Sequence, residues 1–283
     1  MSSSMLFSVI VANYNNGAFL DTLIESIRMQ TYTNWQLVIV DDCSADNSRL
    51  ILNAYKYDPR IVLIFHEHNL GAAAAFKSAA DAATGEIIGM LGADDALTPH
   101  AIETMLNLHE LNPGASLICS NLYQCDEQLN ILSLWNKYAA PKAHGILILD
   151  PSVGSFATFK KEMYLQTEGF DPFFKKALDH DIYLKLEEKG KVLYHPEPLY
   201  LYRANPIGIS QNSNWFEATI YSLQARINAY KRRVHLKNIL NLSLQEYKQL
   251  VQLKYKRLAR LSKAQKKLFG FIKYHFYARL SEF

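Results

Sequence analysis

No stretch of about 18 consecutive apolar residues occurs in this chain, so no membrane-spanning helix is expected. Cysteine is scarce: Cys43, Cys119 and Cys125 form no C-x-x-C pair and no metal-ligand spacing. That argues against a disulfide framework and a structural zinc site, and points to a reducing, cytoplasmic setting. There is no G-x-x-x-x-G-K-[ST], so a P-loop is excluded, and no G-x-G-x-x-G follows the first apolar run, which argues against a dinucleotide oxidoreductase. A G-x-S-x-G nucleophile elbow is also missing. The opening "MSSSMLFSVIVANYNN" lacks a basic n-region, so no signal peptide is expected.

Acidic residues run short at one end only. Residues 1–215 carry 15 Lys/Arg and 24 Asp/Glu, whereas residues 216–283 carry 15 and 3. Between Tyr247 and Ser281 there are ten basic residues and no acidic one. A split of this kind predicts two jobs in one chain.

What is present in the first half is an alternation. "LFSVIVA", "WQLVIVDD", "RIVLIFH" and "EIIGML" are short apolar runs of strand length. Between them, "AFLDTLIESIRMQ", "SADNSRLILNAY" and "GAAAAFKSAADAA" have helical character, with Ser44 or Asp46 as a cap for the second. After the fourth run, "TPHAIETMLNLHELNPG" reads as a helix with Pro99 near its start. Strands without polar alternation, separated by amphipathic helices, predict an α/β fold with a mostly parallel sheet covered on both faces. Residues 115–212 change character: "ASLICSNLYQCDEQLNIL" predicts a hairpin, and "KVLYHPEPLYLYRANPIGIS" a strand interrupted at Pro196 and Pro198. Residues 215–283 contain no proline and predict helix throughout.

Ligands of open α/β sheets bind outside the carboxyl ends of the strands. Two acidic pairs fall there, Asp41–Asp42 after the second strand and Asp94–Asp95 after the fourth, with Tyr14 and Asn15 after the first. Adjacent carboxylates cannot pair with each other, but Mg²⁺ or Mn²⁺ takes one or two carboxylates and completes its shell with water and phosphate oxygens.

The segments "SVIVANYNNGAFLDTLIESIRMQTYTNWQLVIVDDCSADNS", "HNLGAAAAFKSAADAATGEIIGMLGADDALTP", "EGFDPFFKKALDHDIYLKL" and "YHPEPLYLYR", in this order over about residues 6–212, resemble the family 2 glycosyltransferases of the GT-A fold, of the type that builds bacterial surface glycans. The resemblance implies a GT-A (Rossmann-like) sheet flanked by helices. A nucleotide-sugar-binding half would occupy 1–112 and an acceptor-binding half 113–213, followed by a basic helical extension over 214–283. It also implies site roles. Tyr14 stacks on the nucleotide base, Asp42 accepts a hydrogen bond from the base ring, and Ala12 contributes backbone. Asp94 lies near the ribose or the metal, Asp95 is the direct metal ligand, Asp179 is the general base, and Arg203 lies near the diphosphate. Three positions depart from the family pattern: Gly92, Leu178 and Asn205 stand where an acidic residue, an acidic residue and a histidine are usual.

The implied activity is an inverting, metal-dependent transfer of a hexosyl or N-acetylhexosaminyl group. A UDP-linked donor and Mn²⁺ or Mg²⁺ serve it, and a saccharide or lipid-linked saccharide accepts the sugar. Trp135 and Tyr138 are aromatic candidates for an acceptor cleft. The basic and apolar segment 247–281 suits peripheral contact with an anionic membrane, placing the protein at the inner face of the cell membrane. Packing on the acidic domain, or an interface with a partner or a second copy, are the other readings of that segment. Nucleic acid is not expected, because no binding module accompanies the charge. Two other functions stay open at this point, a sugar nucleotidyltransferase and a nucleotide-sugar-binding protein without turnover.

Overall fold

The structure, a computed structural model, describes residues 5–135, 146–148, 153–204 and 215–234, with five further helical residues between 252 and 260. Tyr138, Asn205 and most of the 247–281 segment therefore lie outside the described residues.

Four parallel strands form the first half: β1 (Phe7–Asn13), β2 (Trp35–Asp41), β3 (Ile61–Phe65) and β4 (Ile87–Gly92), lying in the order β3-β2-β1-β4. They alternate in sequence with α1 (Gly17–Arg28), α2 (Ser48–Ala54) and α3 (Ala72–Ala82). Side chains of successive strand residues point to opposite faces, and here both faces are dry. In β1 and β2, Phe7, Val9, Val11, Leu37 and Ile39 enter one core, with Leu20, Leu23, Ile24 and Ile27 of α1. Ile10, Val38 and Val40 enter the other, with Ala75, Ala79 and Ala80 of α3. This double burial explains the unbroken apolar runs.

The sheet continues through the second half. A two-residue β5 (Ala96–Leu97) follows β4, then α4 (Ala101–Leu111), β6 (Ala115–Cys125), β7 (Ile131–Leu134) and β8 (Ser155–Lys160). Beyond them come α5 (Lys161–Tyr164), α6 (Leu178–Glu187), β9 (Lys191–Arg203) and α7 (Trp215–Val234). β8 runs antiparallel to β4, β6 antiparallel to β8, and β9 parallel to β6, while β5 caps the outer edge of β9. The sheet thus crosses the 112/113 boundary without a break, and the β6–β7 hairpin forms where a hairpin is predicted.

The prolines do not interrupt β9. Its ladder with β6 steps from Ser120↔His195 to Asn121↔Pro198, so Pro196 and Glu197 are taken up in a bulge. Proline lacks an N–H, and strands admit it at bulges and edges. Asp46 differs from the predicted cap in a similar way. It accepts hydrogen bonds from the N–H of Ser48 (2.9 Å) and of Gly17 (2.9 Å), tying the start of α2 to the start of α1.

The first helix of the basic extension is part of the packed body. Arg233 of α7 is buried between Glu187 and Glu188 (2.9 and 3.1 Å), and Arg232 bonds Glu188 at 2.9 Å. Removing one partner of such a buried pair strands a charge and costs about 3–5 kcal/mol. Among the described residues, no helix is long and apolar enough to cross a membrane.

Candidate active site

The carboxyl ends of β1 to β4 share one edge because the strands are parallel. β9 ends at the same edge, being parallel to β6, which is related to β4 through the antiparallel β8. The loops that leave this edge carry the acidic pairs.

The first pair is turned inward. Asn13 donates from Nδ2 to Asp41 Oδ1 (2.7 Å), and Ser44 reaches the same carboxylate through Oγ (2.6 Å) and its N–H (3.1 Å). Asp42 accepts the N–H groups of Leu70 (2.9 Å) and Gly71 (2.7 Å). Gly71 has φ +91°, a backbone angle that favours glycine, and it leads directly into α3. Asp42 Oδ1 also meets His66 Nδ1 at 2.7 Å, and His66 Nε2 meets Ser78 Oγ at 3.0 Å. Asp42 thus gathers the β3–α3 loop, while Oδ2 accepts one bond and keeps a lone pair. Tyr14 lies at the same edge and is 48% exposed, and Ala12 is half-buried at the end of β1.

The second pair is split. Asp95 is 4% exposed and accepts hydrogen bonds from the Tyr200 hydroxyl (2.5 Å) and the Arg203 N–H (2.8 Å). Burial, with the negative Asp94 beside it, pushes its carboxyl pKa up to about 7. Asp94 is half-buried, and its backbone oxygen accepts Arg203 Nε at 2.6 Å. The sequence reading made Asp95 the direct metal ligand; the structure gives both of its oxygens internal partners and brings Asp94 toward solvent. Arg203 is 4% exposed, and its guanidinium lies 4.7 Å over the Phe19 ring and donates to the Glu127 carbonyl. It clips loops together in this conformation, and its Nη2 has no hydrogen-bond partner among the described residues.

Asp179 stands in the first turn of α6, after Ala177 at φ +53°. α6 ends where β9 begins, at the opposite edge, since Lys191 N–H bonds Gly114 O. Its N-terminal turn therefore lies toward the carboxyl-end edge. Asp179 is half-buried and makes no hydrogen bond or ion pair among the described residues. A carboxylate in the first turn is favoured by the helix dipole. Asp181 takes the structural part, pairing with Lys185 at 2.6 Å, and Lys185 also donates to Gly169 O. Leu178 opens α6 and packs its half-buried side chain against the core of the α3 face.

Among the described residues no group of three His, Cys, Asp or Glu side chains is arranged to hold a metal. Gly92 adds no carboxylate and each Asp95 oxygen already accepts one hydrogen bond, which leaves Asp94 as the more open carboxylate of the pair. That fits the Mg²⁺ or Mn²⁺ mode in which one carboxylate, water and substrate phosphates make up the shell.

Glycosyl transferase family 2 matches residues 8–167, over half of the chain. The chain belongs to this family. Glycosyltransferase GlyG of Streptococcus pneumoniae serotype 4 is 30% identical over 221 residues, 71% of each chain. The chain spans between 23% and 71% of the length of the first three curated relatives that it matches. Among solved structures, S. aureus TarS 1-349 in complex with UDP-GlcNAc superposes with a TM-score of 0.65 at 16% identity, covering 98% of this chain and 92% of that one. The mannosyltransferase PcManGT of Pyrobaculum calidifontis, in complex with GDP-Man and Mn²⁺, gives 0.55 at 15% identity, with 98% and 84% covered. The fold is thus that of the GT-A glycosyltransferases.

Three residues at this edge belong to no motif legible in the sequence. His66 bonds Asp42. Asn13 and Tyr200 were not singled out, and each joins segments far apart in the chain. The one available signal was Gly92 itself: a glycine beside an acidic pair marks space that something else fills.

Proposed function

We propose that this glycosyltransferase moves a sugar from a UDP-linked donor to a saccharide or lipid-linked saccharide in surface-glycan synthesis, with inversion at the anomeric carbon. The observation that carries the reading is the division of labour at the carboxyl-end edge. Buried acids build the loops there, while Asp94 and Asp179 stay half-buried at its rim.

Tyr14 offers an exposed ring for stacking on the base, and Asp42 Oδ2 keeps one acceptor site for a base N–H. Asp94, rather than Asp95, would hold Mn²⁺ or Mg²⁺ together with the donor diphosphate. The bound ion supplies positive charge where the nucleoside diphosphate leaves. Asp179 takes the proton from the acceptor hydroxyl as the new glycosidic bond forms, since the hydroxyl alone is a poor nucleophile at neutral pH. One direct displacement of this kind inverts the centre, giving a β-linked product from an α-linked donor. The basic and apolar composition of 247–281 supports contact with an anionic membrane surface bearing the acceptor.

Asp179→Asn tests the assignment. We expect transfer to fall by about 10³-fold or more, while UDP with Mn²⁺ still raises the melting temperature as in the wild type. Transfer within about tenfold of wild type would remove Asp179 from the role of base.

A further inference from the structure

We infer that Tyr200 is a positioning residue for the Asp94 loop, and that Gly92 supplies the room its hydroxyl needs. Tyr200 is anchored in β9, its backbone in register with Leu97 of β5 on one side and Leu122 of β6 on the other. From there its hydroxyl crosses to the end of β4, accepting the Gly92 N–H (3.0 Å) and donating to Asp95 Oδ2 (2.5 Å). A Cβ built on Gly92 would lie 2.5 Å from Asp95 Oδ2 and 3.1 Å from the Tyr200 oxygen. The first of these is closer than real Cβ contacts come, so a side chain at 92 requires the Asp95 carboxylate to shift from its bond with Tyr200.

The rest of the loop is clasped by the same strand. Arg203 N–H bonds the other oxygen of Asp95, Arg203 Nε bonds Asp94 O, and Leu199 O accepts the Thr98 N–H at 3.1 Å. These ties spend Asp95's carboxylate and Asp94's backbone on holding residues 92–98. A metal-facing carboxylate has to be presented within a fraction of an ångström, and a rigid neighbour does that better than a loop alone. In this chain the space beside Gly92 is therefore taken by a hydroxyl that arrives from β9. Restoring an acid at 92 would break the site and not repair it.

The inference rests on the proposed role of Asp94, so the experiment includes Asp94→Asn. The readouts are the melting temperature in chelator and the Mn²⁺ concentration that half-saturates the shift given by UDP, on the full chain. Tyr200→Phe leaves the Gly92 N–H and Asp95 one bond short. We expect its melting temperature to drop by about 2–6 °C and its Mn²⁺ half-saturation to rise about tenfold. Gly92→Ala should lower the melting temperature in the wild type and cost distinctly less in the Tyr200→Phe background. A Tyr200→Phe protein that melts earlier but keeps wild-type Mn²⁺ half-saturation would make Tyr200 structural only and overturn the inference. Additive effects of Gly92→Ala and Tyr200→Phe on melting would also overturn it, whether or not UDP binds. If Asp94→Asn left the Mn²⁺-dependent shift intact, the underlying role of Asp94 would fail, a result separate from either of these.

Discussion

The two acidic pairs at the carboxyl-end edge look alike in sequence and are used differently. Asp41 and Asp42 are both 2% exposed, and both carboxylates accept donors from neighbouring loops, Asn13 and Ser44 for one and Leu70, Gly71 and His66 for the other, with one acceptor site left on Asp42 Oδ2. In the second pair only Asp95 is buried, and Asp94 stays half-buried at the rim. Like charges side by side repel, and the neutral N–H and O–H donors around the buried carboxylates offset part of that repulsion. The first pair builds the frame with both members. The second buries one member and keeps the other half-buried at the rim, where we propose it serves the chemistry. An acidic doublet is therefore no guarantee that both acids share an ion.

The largest effect that would sharpen this contrast is in pH. Asp95 holds its proton up to about 7, against an ordinary carboxyl value of 3.8. A carboxyl that keeps its proton longer when folded than when unfolded costs the fold stability once it ionises. Stability conferred by protonated Asp95 is therefore present below about pH 4 and is lost as pH rises toward 7. In chelator, wild type should lose stability relative to Asp95→Asn by about 1.4 kcal/mol per pH unit across that window, about 4 kcal/mol in all. Denaturant titrations of both proteins at several pH values check it. A constant difference would mean that Asp95 ionises like an exposed acid.

Next in size is the first pair. Asp42→Asn keeps the shape but turns an amide N–H₂ toward donors that need an acceptor. We expect a loss of about 3 kcal/mol, read from the denaturant midpoint, because the Leu70, Gly71 and His66 bonds cannot all be satisfied. A loss below about 1 kcal/mol would show that the β3–α3 loop holds its shape without Asp42.

The physics of legibility differs between these regions. The strands β1 to β4 were readable because burial on both faces leaves unbroken apolar runs, and the acids were readable because charge at a strand end is conspicuous. Which way each acid turns was not readable. Asp95 is fixed by Tyr200 and Arg203, 105 and 108 residues away, and no local pattern encodes such pairing. Arg203 was placed by motif position near a diphosphate, but the Phe19 face and the Glu127 carbonyl draw its guanidinium inward. The bulge at Pro196 and Pro198 was hidden for a related reason. Proline forbids a ladder bond but not a strand, and only the partner register reveals that the chain steps around it.

The smallest stability effect is the one that separates the pairs most sharply. Asp94 is a main reason that Asp95 resists ionisation, its negative charge raising the neighbour's pKa after burial itself. Asp94→Asn removes that repulsion and keeps the backbone bond between Asp94 O and Arg203. At neutral pH in chelator we expect Asp94→Asn to be as stable as wild type or more stable, by on the order of 0.5 kcal/mol. The same variant should lose the Mn²⁺-dependent part of the UDP shift. A residue whose removal helps the fold while abolishing ligand binding is held there at the fold's expense, which is the mark of a functional carboxylate. A clear loss of stability with Mn²⁺-dependent binding preserved would instead place Asp94 with Asp41, Asp42 and Asp95 among the acids that build the edge.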